Sequence, residues 1–357
     1  PRAQLQLTSQ YRVLEVKNTE LYSGDPEQNL TNRIDYSLRL LKGALTLSSF
    51  YEIGSGLTEE QAFIYVEVPP GTGVYTWVDF NENGIVEQDE FQVAVFQDQA
   101  NYIRVLTQTN NFEKIYRTQF NQSIFVRPAA VWKNKKGVRQ VLSKFSNQFA
   151  YRIDRKTDDN SLENWVDPFA TGVADSNIRV LNSSLRNTVY LNRSNRLWSL
   201  DYTYQELNAK LLQTNGLLGS SDEFNQLNFR YNMSRVYQIN LEGKTGKKVS
   251  GSAFSSQRNY LITYTSVKPT LTYLQGSGVK IKMFFEQTDK RNDAELGNET
   301  NLSKKYGAEV NVRKVGKGSV TVTASYLENE FVGDVNSAVS YQMLDGLQPG
   351  KNGLWEV

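Results

Sequence analysis

Side chains along most of this 357-residue chain alternate between apolar and polar at every second position. In one run, Val279, Ile281 and Met283 alternate with Lys280 and Lys282. A period of two is typical of a β-strand with two different faces, because successive side chains of a strand point to opposite sides of the sheet. The pattern therefore predicts an all-β chain.

The predicted strands are unusually long. Most of them cover ten residues or more, whereas an ordinary strand has about 5–6 residues and a transmembrane strand needs about 9–11. They lie at roughly 3–16, 36–53, 113–131, 138–154, 177–191, 196–208, 224–233, 236–244, 258–274, 279–288, 304–315 and 319–328, with another beginning near 338. This length favours strands that cross a membrane.

The connections between these strands alternate between short and long. Short turns are predicted at 133–137, 192–195, 234–235, 276–278 and 316–318, and longer loops at 155–176, 209–223, 245–257, 289–303 and 329–337. Outer-membrane barrels have short periplasmic turns and longer extracellular loops. This alternation of short and long connections requires a single strand over 258–274, with Pro269 at a bulge or beyond the membrane rim.

The predicted fold is an antiparallel transmembrane β-barrel, formed by a segment of a longer chain, with a small extracellular β lobe. Residues 1–53 would contain the first barrel strands, and 113–357 the up-and-down strands of a barrel whose C-terminal end is missing. Residues 54–112 fall on the long-loop side and would form the lobe. A long extension of two strands above the rim is the alternative for that segment.

Composition excludes several kinds of chemistry. The chain has no Cys and no His, which removes disulfides, thiol catalysis and imidazole bases. Its 40 basic and 38 acidic residues are interspersed, so no nucleic-acid footprint is expected. Adjacent acids at 158–159 and 222–223 are the candidates for a glycosidase pair, but adjacent loop acids are usually solvated, and we expect no enzyme.

Residues 79–90 match the calcium-loop pattern D-x-[DN]-x-[DN]-G-x5-E. Gly84 would make the sharp turn. Calcium takes 6–8 oxygen ligands, and the predicted ligands are Asp79, Asn81, Asn83, the carbonyl of Ile85, Glu87 and Glu90.

This loop resembles the EF-hand family over twelve residues. Its flanks differ, because 69–78 contain helix breakers followed by a β-prone run, so a calcium loop in a β setting is expected. An Asn-Gly turn with acidic neighbours is the alternative. The few carboxylates predict weak binding, around 10⁻⁴–10⁻³ M, and a structural rather than a signalling role.

Several runs resemble large outer-membrane β-barrel proteins of Bacteroidota. They are 73–84, 89–91, 102–105 and the late run 341–352, which is similar to one that precedes the last strands of such barrels. The resemblance implies a Gram-negative outer membrane and a barrel architecture. It implies an activity less firmly, because the family is diverse.

The function expected is a non-enzymatic conduit or assembly component with Ca²⁺ stabilising an extracellular lobe. Its partners would be the outer-membrane bilayer and, by analogy, proteins of a surface or secretion complex. A polar lumen would include Lys280, Lys282, Arg230, Glu309 and Arg313. The alternative is a secreted or surface-attached β-sandwich that binds glycan or protein through Trp77, Trp132 or Trp165.

Overall fold

The computed structural model describes residues 2–15, 27–79, 84, 86–87, 90–94, 99–170, 173–213, 216–252, 259–276, 278–314, 318–335, 337, 339–344 and 353–356. Strands β1 to β16 span Ala3–Leu14, Glu27–Leu40, Leu45–Glu67, Tyr75–Trp77, Phe91–Val93, Tyr102–Val126, Phe145–Thr157, Ile178–Leu191, Trp198–Gln213, Gly216–Asn232, Tyr237–Ser252, Tyr260–Gln275, Val279–Asn292, Thr300–Lys314, Gly318–Val332 and Gly353–Glu356. Helices α1 to α4 span Ala129–Trp132, Val138–Leu142, Leu162–Val166 and Ser340–Met343. Within the described ranges, none of these helices is long and apolar enough to cross a membrane.

All sixteen strands belong to one antiparallel sheet. Fourteen of them pair in the order β1-β2-β3-β6-β7-β8-β9-β10-β11-β12-β13-β14-β15-β16, while β4 and β5 form a short hairpin beside β6. Each long strand pairs with the next long strand in the chain, which is the up-and-down connection of a barrel wall. Among the described residues, β1 pairs only with β2, and β16 only with β15.

The two faces of this sheet differ in chemistry. One face carries a band of exposed apolar and aromatic side chains across nine strands: Leu5, Leu7, Tyr11, Val13, Ile34, Tyr202, Leu227, Phe229, Tyr231, Tyr237, Leu241, Val267, Leu271, Met283, Tyr306, Val310, Val312, Val320 and Val322. Their partners on the opposite face are mostly charged or polar. We call the apolar side the outer face and the polar side the inner wall.

The sheet curls around its polar side. Gln342 of α4 lines one cavity together with side chains from β11 to β15, and a second cavity together with side chains from β7 to β12. A flat sheet could not bring strands so far apart to one residue. Tyr264 of β12 also donates a hydrogen bond to Asp222 of β10 across the intervening strand (3.1 Å). The all-β, antiparallel barrel architecture predicted from the sequence is confirmed.

Three strand predictions were wrong. The strand predicted at 138–154 begins only at Phe145, and Val138–Leu142 form helix α2. The predicted strand 36–53 is two strands, β2 and β3, joined by a tight turn at Leu41–Gly43 in which Leu41 and Lys42 adopt positive φ. Leu and Lys rarely adopt that conformation. The sequence of the turn also has no Asn or Pro, which commonly mark turns, so the turn was not predicted. The strand predicted near 338 is helix α4, and the last strand begins at Gly353.

Three predicted loops are largely strand. Most of 209–223, 245–257 and 289–303 continues the paired ladders of β9 to β14. The outer face turns polar in these stretches, with Glu223 and Lys247 for example, and the alternation that marked the strands disappears. Pro269 lies in the middle of β12 on the outer face, and the β12–β13 register is the same on both sides of it. One strand therefore covers 260–275, as the loop parity required.

The segment 54–112 contains long extensions of β3 and β6. These strands stay paired from Leu45↔Val126 to Glu67↔Tyr102, with one register shift between Glu59 and Gln61. The excursion at their tip, 68–101, holds the short hairpin of β4 and β5. Its aromatic centre includes Tyr65 stacked on Phe91 at 3.9 Å between centroids and a buried Tyr75. The lobe is thus a projection of one β-hairpin.

Candidate functional site

The inner wall is rich in basic side chains. Strand register places on it Arg12, Arg33, Arg39, Arg117, Arg152, Lys156, Arg186, Arg230, Lys244, Lys248, Lys268, Lys280, Lys282, Lys290, Lys305 and Arg313. The same register places on it the acids Asp35, Glu52, Glu113, Asp154, Asp201, Asp222, Glu242, Glu286 and Glu309. Basic side chains clearly outnumber acidic ones on this wall, although the whole chain is nearly neutral. The inner wall therefore has a positive charge.

Some of the acids on the wall are held by basic neighbours. Lys282 pairs with Glu309 at 2.7 Å, and Lys268 pairs with Glu286 at 2.8 Å. Arg117 binds Asp154 through two nitrogens, at 3.2 and 3.0 Å. The five residues that the sequence assigned to a polar lumen, 230, 280, 282, 309 and 313, all lie on this wall.

A groove on the wall between β3 and β9 contains two arginines. Its volume is about 410 Å³, and its lining includes Arg152, Arg186, Asn121, Ser184 and Gln205 but no carboxylate. Arg152 lies opposite Ser184, and Arg186 lies opposite Ala150, so the arginines are diagonal neighbours. The side chain of neither arginine forms a hydrogen bond or an ion pair with the part of the chain that the structure describes.

A short segment that contains α4 lies inside the curl of the sheet. Lys290 donates to the carbonyl of Met343 at 3.1 Å, and Asn301 donates to the same carbonyl at 2.6 Å. Asn329 donates to the carbonyl of Leu344 at 2.7 Å. Three neighbouring strands therefore satisfy the carbonyls at the end of one helix, which a helix leaves unpaired.

Apolar contacts with β12 and β15 also hold this segment against the inner wall. Met343 and Val339 pack with Ile262 of β12, and Leu344 packs with Leu327 of β15. These are the main buried apolar clusters that the described residues form on the inner wall. Nothing in the alternation pattern could mark the segment, because its helix has only four residues.

The loop between β7 and β8 folds back onto the outer face. Arg155, only 2% exposed, donates to the carbonyls of Asn164, Asp167 (2.9 Å) and Ala170 (3.1 Å). Trp165 of α3 packs against Tyr116, with 4.9 Å between ring centroids. Arg155 therefore fixes the loop between β7 and β8 against the outer face.

The adjacent acids of this loop have structural partners. Asp158 accepts from Arg179 at 2.9 Å. Asp159 accepts from the backbone N–H of Ser161 at 2.9 Å and from the Asn164 amide at 2.7 Å, and these bonds hold the pKa of its carboxyl below the usual range. This arrangement ties the loop together.

The other adjacent acids lie on opposite sides of the sheet. Asp222 faces the inner wall and accepts from Tyr264, whereas Glu223 faces outward and pairs with Lys247 at 2.9 Å. Their carboxylates are separated by the sheet itself, because neighbouring residues of a strand point in opposite directions. They cannot act together on one substrate.

Half of the predicted calcium ligands can be placed. Asp79 accepts from the backbone N–H of Gly84 at 2.8 Å. Glu90, 2% exposed, accepts from the Trp77 indole at 2.8 Å and from the backbone of Glu87 at 3.3 Å. Asn81, Asn83 and Ile85 lie outside the described residues. The described residues include no cluster of three or more acidic, His or Cys side chains spaced for a metal.

One feature of Glu90 fits a cation. Its second oxygen, Oε1, is buried and has no hydrogen-bond partner among the residues that the structure describes. A buried carboxylate oxygen without a partner is costly, and a calcium ion coordinated by both oxygens would satisfy it.

Trp132, one of the tryptophans predicted to bind glycan or protein in the sandwich alternative, lies in helix α1 at the short-turn end.

Comparisons with known proteins leave the family open. No family model matches the chain, and no curated protein matches it. The fold is similar to the crystal structure of the P. putida toluene transporter TodX, with 9% sequence identity and a TM-score of 0.26, over 93% of this chain and 87% of that chain. The resemblances to Bacteroidota barrels and to EF-hand loops stay predictions.

Proposed function

We propose that the chain forms the wall of an outer-membrane conduit and catalyses no reaction. The observation that carries this proposal is the division of one long-stranded sheet into an apolar outer face and a charged inner wall. Exposed apolar patches on soluble monomers rarely exceed a few hundred Å². A band across nine strands is far larger, and a bilayer would cover it.

The alternative of a soluble β-sandwich has less support. In a sandwich, the apolar face of one sheet packs against the apolar face of another. Here the described strands form one sheet, its apolar face is exposed, and its concave face is polar. That is the arrangement of a membrane barrel, in which lipid-facing and lumen-facing residues alternate.

Neighbouring residues of β15 give a direct test of this proposal. The chain lacks Cys, so Val322→Cys on the outer face and Thr323→Cys on the inner wall would each introduce a single thiol. A bimane label at 322 should be quenched by brominated lipid in proteoliposomes, and the label at 323 by aqueous iodide. Quenching of both labels by iodide alone would contradict insertion in a membrane.

We also propose that the lobe at 68–101 faces the outside of the cell and binds calcium. The longest connection between neighbouring long strands joins β3 to β6 on the side opposite the short turns, which is the extracellular side in outer-membrane barrels. Glu90 would bind the ion with both oxygens, and Asp79 and Glu87 would add carboxylates. Calcium would then stabilise the hairpin tip. Protein partners would meet this side of the wall.

Terbium luminescence tests the calcium site. Terbium binds in calcium sites and is sensitised by a nearby indole, and Trp77 donates directly to Glu90. We expect terbium emission on excitation of tryptophan, displaced by calcium at about 10⁻⁴–10⁻³ M. Glu90→Gln should abolish the emission, while Glu67→Gln, in β3, should leave it. Emission that survives in Glu90→Gln would rule out this site.

A further inference from the structure

The structure assigns a chemistry to the groove between Arg152 and Arg186: we infer that it is a binding subsite for small oxyanions, carboxylate or phosphate, inside the conduit. This inference rests on the proposed function, because it concerns solutes that pass along the inner wall. It names the class of solute that the wall would select.

The strand register places no acid directly opposite either arginine, although Arg152 also borders a second cavity that contains Asp154 and Asp222. Arg152 has Asn121 and Ser184 directly opposite, and Arg186 has Ala150 and Gln205. The nearest acid along the strand is Asp154, which is already bound by Arg117 and by the Gln119 amide at 3.0 Å. The groove therefore keeps two positive charges without a carboxylate of its own.

The spacing of the arginines suits one shared anion. Diagonal neighbours in an antiparallel pair have backbones roughly 7–8 Å apart, within reach of two long side chains on one ligand. A guanidinium presents a planar fork of donors that matches the two oxygens of a carboxylate or a phosphate. Ser184, Asn121 and Gln205 add neutral donors around the groove.

Other positive charges on the wall would draw anions towards the groove. The inner wall carries more basic than acidic side chains, and a channel lined mainly by one sign of charge concentrates ions of the opposite sign. The arginine groove would then be a local binding position in a generally anion-attracting path. Both side chains are exposed to the lumen, so no rearrangement is needed for access.

Single-channel recording of the protein in planar bilayers tests this inference. Wild type should conduct with a reversal potential that indicates anion selectivity. Inorganic phosphate and succinate, added separately, should reduce the chloride current, and block by either one supports the subsite. Comparing the two shows whether the groove prefers phosphate or carboxylate. Arg152→Gln/Arg186→Gln should raise the half-blocking concentration at least about tenfold.

The control removes a charge from the same wall outside the groove. Arg313→Gln, at the short-turn end of β14, should change the half-blocking concentration less than about twofold. Conductance that is cation-selective, or insensitive to both oxyanions, would overturn the subsite while the conduit stands. Equal loss of block in the double variant and in Arg313→Gln would also overturn it. Absence of any conductance would overturn both proposals.

Discussion

Met283→Arg is expected to prevent stable insertion of the protein in a bilayer. Met283 lies on the outer face in the middle of the apolar run of β13, between Ile281 and Phe285. An arginine at the midplane of the lipid face of a barrel costs about 2–4 kcal/mol. Urea unfolding in lipid vesicles, followed by tryptophan fluorescence, should show a loss of that size or a failure to fold.

A matched arginine on the other face separates this effect from a general one. Thr323 lies on the inner wall directly across from Glu309. Thr323→Arg would place its charge in the lumen beside a carboxylate, so the unfolding free energy should change by less than about 1 kcal/mol. Equal destabilisation by both substitutions would show that the outer face is not in lipid.

Asn301→Ala/Asn329→Ala is expected to release the internal segment 339–344 from the wall. Both amides are buried, bind the carbonyls of Met343 and Leu344, and contact each other at 3.3 Å. The Leu344 carbonyl would lose its donor, which costs about 1–3 kcal/mol when the group is buried, and the Met343 carbonyl would keep only Lys290. The loss exceeds what the small apolar contact under the helix is expected to offset.

Methionine oxidation measures this release. Met343 is 0% exposed, whereas Met233, in the turn between β10 and β11, is 59% exposed. With hydrogen peroxide and mass spectrometry, wild type should oxidise at Met233 and resist at Met343. In the double variant Met343 should oxidise at a rate that approaches that of Met233. Unchanged protection of Met343 would show that Lys290 and the apolar contacts with Ile262 hold the segment without the two amides.

The sequence determined the faces of the sheet. Alternation fixed which residues share a side, so Val310 and Lys282 could be assigned to opposite faces before any strand was paired. A strand between lipid and water must alternate, because each side chain meets one solvent or the other. The assignment of one strand to 258–274 followed from loop parity, although that stretch contains Pro269, and the structure has one strand over Tyr260–Gln275.

Strand ends and the turn at Leu41–Gly43 needed the tertiary structure. Where the outer face of β10 and β11 becomes polar, nothing in the side chains marks the strand, and only the backbone pairing from Glu223↔Lys247 to Leu218↔Ser252 continues it. The turn after Leu40 is held by its neighbours against an unfavourable φ. Local pattern cannot report a conformation that distant pairing imposes.

The candidate sites divide in the same way. The predicted calcium ligands of 79–90 are close in the chain, so their spacing in the sequence is sufficient to propose the loop. The arginine groove contains Arg152 and Arg186, which are 34 positions apart in the chain. The donors that bind the internal segment 339–344 are Lys290, Asn301 and Asn329, which lie on three different strands. Alternation fixes the face of each residue, but only the pairing register decides which residues of that face become neighbours.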